Sequence, residues 1–330
     1  MGNYTATAFA HPNIAFIKYW GDIDPDLHIP ANGSISMNLR ELFSRTSVSF
    51  DPALEHDQFT LDGRPIDKTG LERVRSLLKK VRRMAGIELF ATVESHNNFP
   101  MGTGIASSAS GFAALSLAAS KAAGLNLDEK ALSCLARSGS GSACRSIPSG
   151  FVEWQAGGND EESYAFSIAP PEHWDLVDCI ALVSQDEKPI SSSEGHYMAK
   201  TSLLQPARVA DAPRRLFLCR QAIHAHDFDA LAEVVELDSN LMHAVMITST
   251  PPLLYWQPAT VTIMQEVESW RKDGLMVCYT VDAGPNVHVL CSREVSGEVT
   301  DRLQKLSGVQ KVLVAHPGGP ANFENGYSNT

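Results

Sequence analysis

A glycine-rich loop that runs directly into a helix start is the first segment of this sequence that could bind an anion. The run is Pro100-Met101-Gly102-Thr103-Gly104-Ile105-Ala106-Ser107-Ser108-Ala109-Ser110-Gly111. Small residues let a ligand approach the backbone closely, and the free N–H groups at a helix N-terminus favour a phosphate. The loop therefore predicts an anion cradle, although a tight strand-to-helix turn packed with Ala and Ser explains the same pattern.

The spacing of this loop excludes two familiar phosphate-binding motifs. GxxxxGK[ST] requires a lysine after its second glycine, and none stands there. Gly102 and Gly104 begin the dinucleotide motif GxGxxG, but Ser107 occupies the position of its third glycine. On its own, the loop does not specify which phosphate it binds.

A second polar cluster, residues 138–146, reads Ser-Gly-Ser-Gly-Ser-Ala-Cys-Arg-Ser. Its hydroxyls and glycines could form another anion nest, and the planar fork of Arg145 suits a carboxylate. A flexible linker has the same composition. The apolar residues Ile147 and Phe151 to Trp154 follow at once and indicate a return to a strand, which favours an ordered loop.

An aspartate follows the predicted strand Leu275–Val281. Asp282 begins the turn Asp282-Ala283-Gly284-Pro285-Asn286, and Val287–Cys291 is the predicted return strand. This position suits a carboxylate that must be held rigidly for proton transfer. An Asx turn accounts for it equally well.

The elements that would position these groups follow from hydrophobic periodicity and turn residues. Strands are predicted at Ala6–Ala10, Ile14–Trp20, Ser34–Leu39, Thr46–Phe50 and Leu89–Ser95, the last leading into a turn over residues 96–100. Helices are predicted at Ser76–Met84, Asp128–Arg137, Arg214–Val235 and Thr260–Lys272. The pattern is of mixed α and β type, and a shift to helix-rich sequence suggests a domain division near residue 180.

Composition limits the function classes. The chain of 330 residues carries 27 Lys and Arg against 38 Asp and Glu, a formal charge of −11, which gives no basic field for nucleic acid. No stretch approaches the roughly 20 apolar residues of a membrane span, and no secretory signal is evident. The six scattered cysteines favour reduced core thiols, and the expected location is the cytoplasm.

Together the motifs resemble the mevalonate diphosphate decarboxylases of the GHMP kinase superfamily. The resemblance covers about residues 5 to 290 in family order. Its motifs are Asn13-Ile14-Ala15-Phe16-Ile17-Lys18-Tyr19-Trp20-Gly21, Ser34-Ile35-Ser36, Asn98 through Leu115, Gly139 through Ser146, and Asp282 through Asn286. The KYWG and GSGSAxRS runs are far more specific than the glycine loop.

The resemblance implies an α/β fold of the GHMP kinase type. Residues 1–180 would form an ATP-binding part like ribosomal protein S5, residues 181–330 a ferredoxin-like part, and the active site would lie between them. The implied reaction is ATP-dependent decarboxylation of a phosphorylated mevalonate. The tertiary 3-hydroxyl is a poor leaving group until it is phosphorylated, which explains the need for ATP and Mg²⁺. A homodimer is also implied.

The resemblance also assigns residue roles. Asp282 would orient or deprotonate the 3-hydroxyl, with Asn13 close to it and Lys18 tuning the centre. Arg145 would pair with the substrate carboxylate, with hydrogen bonds from Ser140 and Ser142, and Tyr19 would contact the phosphate end. The nucleotide side would comprise Ser95, Gly104, Ala106, Ser107 and Ser108, with Ser107 also on the metal and Lys188 reaching the transferred phosphoryl group.

Two departures from the family pattern bear on the substrate. Asp22 stands where the family has a lysine after Tyr-Trp-Gly, and Ser193 falls where the family has an arginine after two serines. Both missing cations grip the diphosphate in the family. We therefore expect mevalonate 5-phosphate as the substrate and isopentenyl phosphate as the product, unless other basic residues such as Arg208 or Lys200 replace them.

Other functions fit the same motifs. The first alternative is the ordinary diphosphate-specific decarboxylase, which makes isopentenyl diphosphate. A mevalonate 3-kinase that does not decarboxylate is disfavoured by the joint presence of Asp282 and Arg145. An ATP-independent bisphosphate decarboxylase is disfavoured by the serine-rich loop, and a non-catalytic binding protein by the full set of polar site residues.

Overall fold

The computed structural model describes residues 4–66, 68–99, 107–184 and 190–324, without the side chains of Thr69 and Ser193. Its strands are β1 Thr5–Ala10, β2 Asn13–Ile17, β3 Asp22–Asp24, β4 Ile29–Pro30, β5 Ser34–Asn38, β6 Ser44–Asp51, β7 Gln58–Leu61, β8 Arg64–Pro65, β9 Phe90–Asn97, β10 Phe151–Gln155, β11 Tyr164–Ala169, β12 Leu176–Leu182, β13 Val277–Val281, β14 Val287–Ser292, β15 Lys311–Ala315 and β16 Asn322–Phe323. Its α-helices are α1 Lys68–Ala85, α2 Ser107–Ala122, α3 Glu129–Gly139, α4 Ser192–Met198, α5 Gln205–Ala225, α6 Phe228–Ile247, α7 Pro258–Lys272 and α8 Ser296–Gln304.

A six-stranded sheet in the order β16-β1-β6-β9-β7-β8 forms the first layer, and its strands pair antiparallel except for β7 with β9. Alternate residues of β6 are buried, so this sheet has one covered face. Apolar side chains of α1, α2 and α3 cover it and form one core cluster. The start of α2 is thereby held against the sheet by packing along the whole helix.

Helices α5 and α6 lie between two further sheets. The sheet β11-β10-β5-β2 packs on one side of them and the sheet β13-β14-β12-β15 on the other, around a second core cluster. Every residue of β2 and of β13 is buried, as expected for strands covered on both faces. Helix α6 contacts both β2 and β13, so it links the strands that precede Lys18 and Asp282.

The chain returns to its first sheet near its end. Strand β16 pairs with β1, with Ala8 opposite Phe323. Just before it, the Gly318 carbonyl accepts a hydrogen bond from Gly150 N at 2.9 Å, and Gly318 N donates to the Asn38 carbonyl at 2.8 Å. The last described residues therefore complete the part of the fold that the first residues begin.

The predicted elements are largely confirmed. The helices predicted at Asp128–Arg137 and Thr260–Lys272 correspond to α3 and α7, and Ser76–Met84 lies within the longer α1. The five N-terminal strands are present with bounds shifted by a few residues, and the residues predicted to form a turn at 96–100 include the end of β9, which runs to Asn97. The division near residue 180 stays a prediction.

The single helix predicted over Arg214–Val235 is wrong. Helix α5 ends at Ala225, His226 takes a left-handed conformation with φ of 55°, and the Asp227 side chain caps α6 by accepting from Ala230 N at 3.0 Å. The apolar stripe continues across the break because both helices bury residues in the same core. Periodicity alone therefore could not show the break, whereas Asp227 as an N-cap could have.

All six cysteines are unpaired thiols, five of them buried and Cys134 half-buried, which confirms the prediction of reduced thiols. Among the described residues, no helix combines the length and the hydropathy needed to span a membrane.

Gly139, the last residue of α3, provides a test of this packing. A Cβ added there would overlap the Phe112 ring of α2. We expect Gly139→Ala to lower the free energy of unfolding by about 1–3 kcal/mol, measured by urea denaturation, because the aromatic ring must move within a packed core. Gly297→Ala, at an exposed position of α8 where no atom lies within 4 Å of the added carbon, should cost no stability. Equal stability of the two variants would contradict this account.

Candidate functional site

Lys18 and Asp282 form an ion pair between residues 264 positions apart in sequence. Lys18 follows the end of β2 and Asp282 follows the end of β13. Lys18 Nζ donates to Asp282 Oδ1 at 2.5 Å, with side chains 2% and 25% exposed, respectively. A partly exposed carboxylate held by a buried cation can orient a hydroxyl group or accept its proton.

Arg145 lies beside this pair in a short 3-10 helix, Gly141–Ser146. Its Nε donates to Asn13 Oδ1 at 3.1 Å and its Nη1 donates to Ser34 Oγ at 2.6 Å. Burial lowers the pKa of the Arg145 guanidinium, and the nearby Cys144 and Asp282 partly offset this. The guanidinium is 4% exposed and held by Asn13 and Ser34, so it offers a fixed planar fork to a carboxylate.

Asn13 connects Arg145 to the polar loop. Its Nδ2 donates to the Ser142 carbonyl at 3.2 Å and to Ser146 Oγ at 2.8 Å, while its Oδ1 accepts from Arg145. Residues 141–146 are thus ordered as a 3-10 helix, which rules out the flexible-linker alternative.

Tyr19 packs on the same loop. A Cβ added at Gly141 would lie 2.7 Å from the Tyr19 Oη, so only glycine permits this contact. The Tyr19 hydroxyl donates to the Asp22 carboxylate at the start of β3. Burial raises the pKa of Asp22 from 3.8 to about 6, and burial together with Asp22 raises the pKa of Tyr19 well above its usual range.

His196 of α4 covers the other face of Tyr19. The two ring centroids are 4.0 Å apart, and the His196 Nδ1 accepts a hydrogen bond from Gly21 N at 3.0 Å. Burial, with His28 and Arg208 nearby, lowers the pKa of His196 to about 3, so the ring is neutral. The region around Asp22 therefore gains no cation from α4.

The start of α2 borders a cavity of about 240 Å³ between α1, α2 and the first sheet. Its walls are apolar, with Phe59, Leu61, Val74 and Phe112, and its polar edge includes Thr46, Ser95, Asn97, Ser107 and Ser108. Ser95 Oγ and Thr46 Oγ1 are hydrogen-bonded at 2.9 Å. An apolar slot beside hydroxyls and a helix N-terminus suits a planar base attached to a phosphate chain.

The nucleotide-side and substrate-side residues meet at one point. Ser108 Oγ of α2 lies 3.3 Å from Ser140 Oγ, at the end of α3. Ser140 immediately precedes the 3-10 helix that carries Arg145. A group bound at the start of α2 would therefore adjoin a ligand held by Arg145, as transfer between two ligands requires.

Four predicted site residues cannot be placed. Gly104, Ala106 and Lys188 lie outside the described residues, and the side chain of Ser193, in α4, is likewise not described.

Two family models match the sequence. One, the diphosphomevalonate decarboxylase-like N-terminal domain, matches residues 10–165, and the other, the mevalonate 5-diphosphate decarboxylase C-terminal domain, matches residues 179–321. The chain belongs to the diphosphomevalonate decarboxylase family. It is therefore an enzyme, an ATP-dependent carboxy-lyase with the expected GHMP kinase type of fold.

Individual relatives agree with this assignment. The decarboxylase is 37% identical to the diphosphomevalonate decarboxylase of Candida albicans, over 92% of this chain and 89% of that protein. A solved mevalonate diphosphate decarboxylase from Enterococcus faecalis is 35% identical with a TM-score of 0.90, covering 97% and 98% of the two chains. A solved complex with MVAPP, AMPPCP and magnesium is 36% identical with a TM-score of 0.91, at the same coverage.

The comparisons confirm the family and the reaction class but not every expectation. Relatives named for the diphosphate favour the alternative substrate over the monophosphate that the sequence analysis expects. The residue roles, the homodimer and the cytoplasmic location stay predictions.

Arg73 is a basic residue that the sequence analysis missed. From α1, its Nε and Nη2 donate to the Gly139 carbonyl at 3.1 and 2.8 Å, next to Ser140. The predicted basic helix began at Ser76 and so excluded it, and only the true start of α1 reveals it.

The two basic residues considered as replacements both contact other groups of the protein. Arg208 is buried and donates to the Asn32 side chain and the Lys18 carbonyl. Lys200 is exposed, with its ammonium 3.7 Å from the centroid of the Tyr197 ring.

Because the pKa of Asp22 is raised, removing its carboxylate should increase the free energy of unfolding by an amount that depends on pH. Because the folded-state value of about 6 lies above 3.8, the folded state binds the extra proton and stability falls as pH rises between about 4 and 6. We expect Asp22→Asn to raise the free energy of unfolding by about 1–3 kcal/mol at pH 8 and by roughly half as much at pH 5. Urea unfolding at both pH values measures this.

Asp26→Asn, an exposed change in the same hairpin, is the matched control and should shift stability by less than about 0.5 kcal/mol at either pH. A gain for Asp22→Asn that is equal at pH 5 and pH 8 would show that its charge is not the cause.

Proposed function

We propose that this decarboxylase converts mevalonate 5-diphosphate and ATP to isopentenyl diphosphate, ADP, phosphate and CO₂. The observation that carries the proposal is the pair of Lys18 and Asp282 beside the anchored guanidinium of Arg145. A carboxylate that can accept a proton and a fork that can hold a carboxylate are the two groups this reaction needs. The similar solved complex with MVAPP, AMPPCP and magnesium supports the same ligands.

Each side chain has a distinct task in this proposal. Asp282 orients the 3-hydroxyl and accepts its proton, while Lys18 holds the carboxylate of Asp282 in place. Arg145 pairs with the substrate carboxylate, and Asn13 fixes the guanidinium at its Nε. Ser140 and Ser142 add hydrogen bonds along the substrate, and Tyr19 contacts its phosphate end.

The residues around the α2 cavity fit a nucleotide. Phe59, Val74 and Phe112 would contact the base, and the hydroxyls of Ser95 and Ser108 would bind the phosphate chain. Ser107, the first residue of α2, would contribute a hydroxyl to Mg²⁺, which prefers oxygen ligands and binds largely through phosphates. When bound, ATP supplies the phosphoryl group that turns the tertiary hydroxyl into a leaving group.

Arg73 supports the diphosphate as substrate. Its guanidinium donates to the carbonyl of Gly139, in the polar cluster of residues 138–146, and lies near His28. Burial lowers the pKa of His28 to about 4, and the charges of Arg73 and Arg137 add to this effect. A guanidinium beside Gly139 would add positive charge next to the polar cluster of residues 138–146. A second phosphate requires such a charge.

Mevalonate 5-phosphate is a second candidate because of Asp22. Its carboxylate accepts the Tyr19 hydroxyl, at the end of the site assigned to the phosphate, and is ionised above about pH 6. An ionised carboxylate there repels an outer phosphate more than it repels a single one.

Asp282→Asn tests the assigned chemistry. We expect kcat for ATP-dependent CO₂ release to fall by about 10²–10⁴-fold while the protein stays folded and binds ATP, because the amide keeps the shape and removes the proton acceptor. Asp175→Asn, an exposed carboxylate paired with Arg293, is the control and should keep full activity. A variant at position 282 that retains more than about a tenth of wild-type turnover would remove Asp282 from the mechanism.

A steady-state comparison of the two substrates tests the proposed function. We expect kcat/KM for mevalonate 5-diphosphate to exceed that for the 5-phosphate by about tenfold or more. Asp22→Lys should raise kcat/KM for the diphosphate by a further factor of about 10 to 100, and by less at high salt. ADP and CO₂ are measured together. A preference for the monophosphate would establish the second candidate, and ADP without CO₂ would indicate a kinase.

A further inference from the structure

The backbone of Lys18 is held by side chains rather than by a strand. Strand β2 ends at Ile17, and Lys18 N donates to Asp238 Oδ2 of α6 at 2.6 Å. The Lys18 carbonyl accepts from Arg208 Nη2 at 2.8 Å and from Asn32 Nδ2 at 3.0 Å. Both backbone polar groups of this residue are thus fixed by buried side chains.

Asp238 is a fully buried carboxylate with a second anchor. Its Oδ1 accepts from Arg215 Nε at 2.7 Å, and Arg208 Nη2 lies 3.7 Å from its Oδ2. A buried carboxylate costs several kcal/mol in desolvation and persists only with such partners. A neutral acceptor would satisfy the Lys18 N–H group at lower cost than a buried carboxylate with two guanidiniums beside it. This costly arrangement indicates that the position of the Lys18 backbone must be closely fixed.

The next residues of α6 hold the backbone before Asp282. Ser239 Oγ accepts from Val281 N at 3.0 Å, and His243 Nε2 donates to the Val281 carbonyl at 3.1 Å. His243 lies one turn after Ser239 on the same face of the helix. Its ring stacks on Trp256 with centroids 4.8 Å apart, and burial lowers its pKa to about 4, so it remains neutral.

We propose that residues 238–243 of α6 are a positioning template that sets the distance between Lys18 and Asp282. Asp238 fixes the residue that follows β2, and Ser239 and His243 fix the residue before Asp282. The two partners come from different sheets, and α6 is the element that contacts both strands. The proposal deepens the proposed function and rests on it for the roles of Lys18 and Asp282.

The charges around Lys18 and Asp282 determine how the pH dependence of kcat should respond to a shift of the template. Asp282 lies among Lys18, Arg145 and His243, of which His243 is neutral, and its close cation is Lys18. If the template shifts, Lys18 moves away from Asp282, and a carboxylate without its close cation takes up a proton at higher pH. The acid limb of the kcat profile should then move to higher pH, which a general loss of stability would not cause.

Asp238→Asn is the direct test. With mevalonate 5-diphosphate and ATP we expect kcat to fall by about 10- to 100-fold, KM to stay within about threefold, and the acid limb to move to higher pH. Ser239→Ala, which removes one small hydroxyl and leaves both guanidiniums paired, should shift the same limb with a smaller loss of kcat. It keeps the test decisive if Asp238→Asn does not fold.

Glu236→Gln is the matched control on the same helix. Glu236 is also a buried carboxylate paired with an arginine, Arg271, and its Oε1 accepts from Tyr279 N, two residues before Val281. We expect this variant to lose stability while keeping the wild-type kcat and pH profile. The proposal is overturned if Glu236→Gln alters kcat and the pH profile as much as Asp238→Asn does. It is also overturned if Ser239→Ala leaves kcat and the pH profile at their wild-type values.

A stability measurement separates this proposal from the proposed function. A double-mutant cycle of Lys18→Met and Asp282→Asn gives the coupling free energy of the pair without any substrate. In the Ser239→Ala background we expect this coupling to fall by more than half, and unchanged coupling would refute the template. A wild-type enzyme that releases CO₂ from neither phosphorylated mevalonate would refute the function alone.

Discussion

A buried lysine paired with a partly exposed aspartate is the constraint on which this structure depends. The Lys18 side chain is 2% exposed, so its charge requires a close anion, and Asp282 supplies it from the opposite half of the sequence. The two sheets that carry these residues must therefore meet at a fixed distance. Helix α6 lies between the two sheets and forms hydrogen bonds to the backbone next to both residues. The packing of this helix in the core therefore also determines the geometry of the site.

The distribution of charge follows from the same constraint. A chain with a net charge of −11 repels anions on average, so anionic ligands must be held by local cations. In the proposed function Arg145 and Arg73 are these cations, and each is buried or half-buried with a hydrogen-bond partner already in place. Asp22 interrupts this arrangement, and its raised pKa is the electrostatic cost of a carboxylate in a half-buried position.

Sequence reasoning identified Arg145 and Asp282 from the chemistry of their polar segments, and Asn13 and Lys18 only through the family resemblance. The structure brings these four residues together. Asp238 was missed because the predicted helix ended at Val235, whereas α6 continues to Ile247 and buries Asp238.

The errors in element bounds have a related cause. Helix α5 ends at Ala225 with His226 in a left-handed conformation, and Asp227 caps α6; neither alters the apolar period. Arg73 was missed because its importance comes from its proximity to Gly139, 66 residues away. Long-range contacts of this kind leave no local pattern in a single sequence.

The return of the chain end to the first sheet has a consequence for synthesis and unfolding. Strand β1 acquires its neighbour β16 only after residue 323 has been made, so the first sheet cannot be complete before that residue has left the ribosome. The segment around Gly318 also bonds to Asn38 and Gly150, which ties it to a second sheet. Residues 318–323 thereby join the first sheet to the sheet that contains β5, and we expect these two sheets to melt in one cooperative transition.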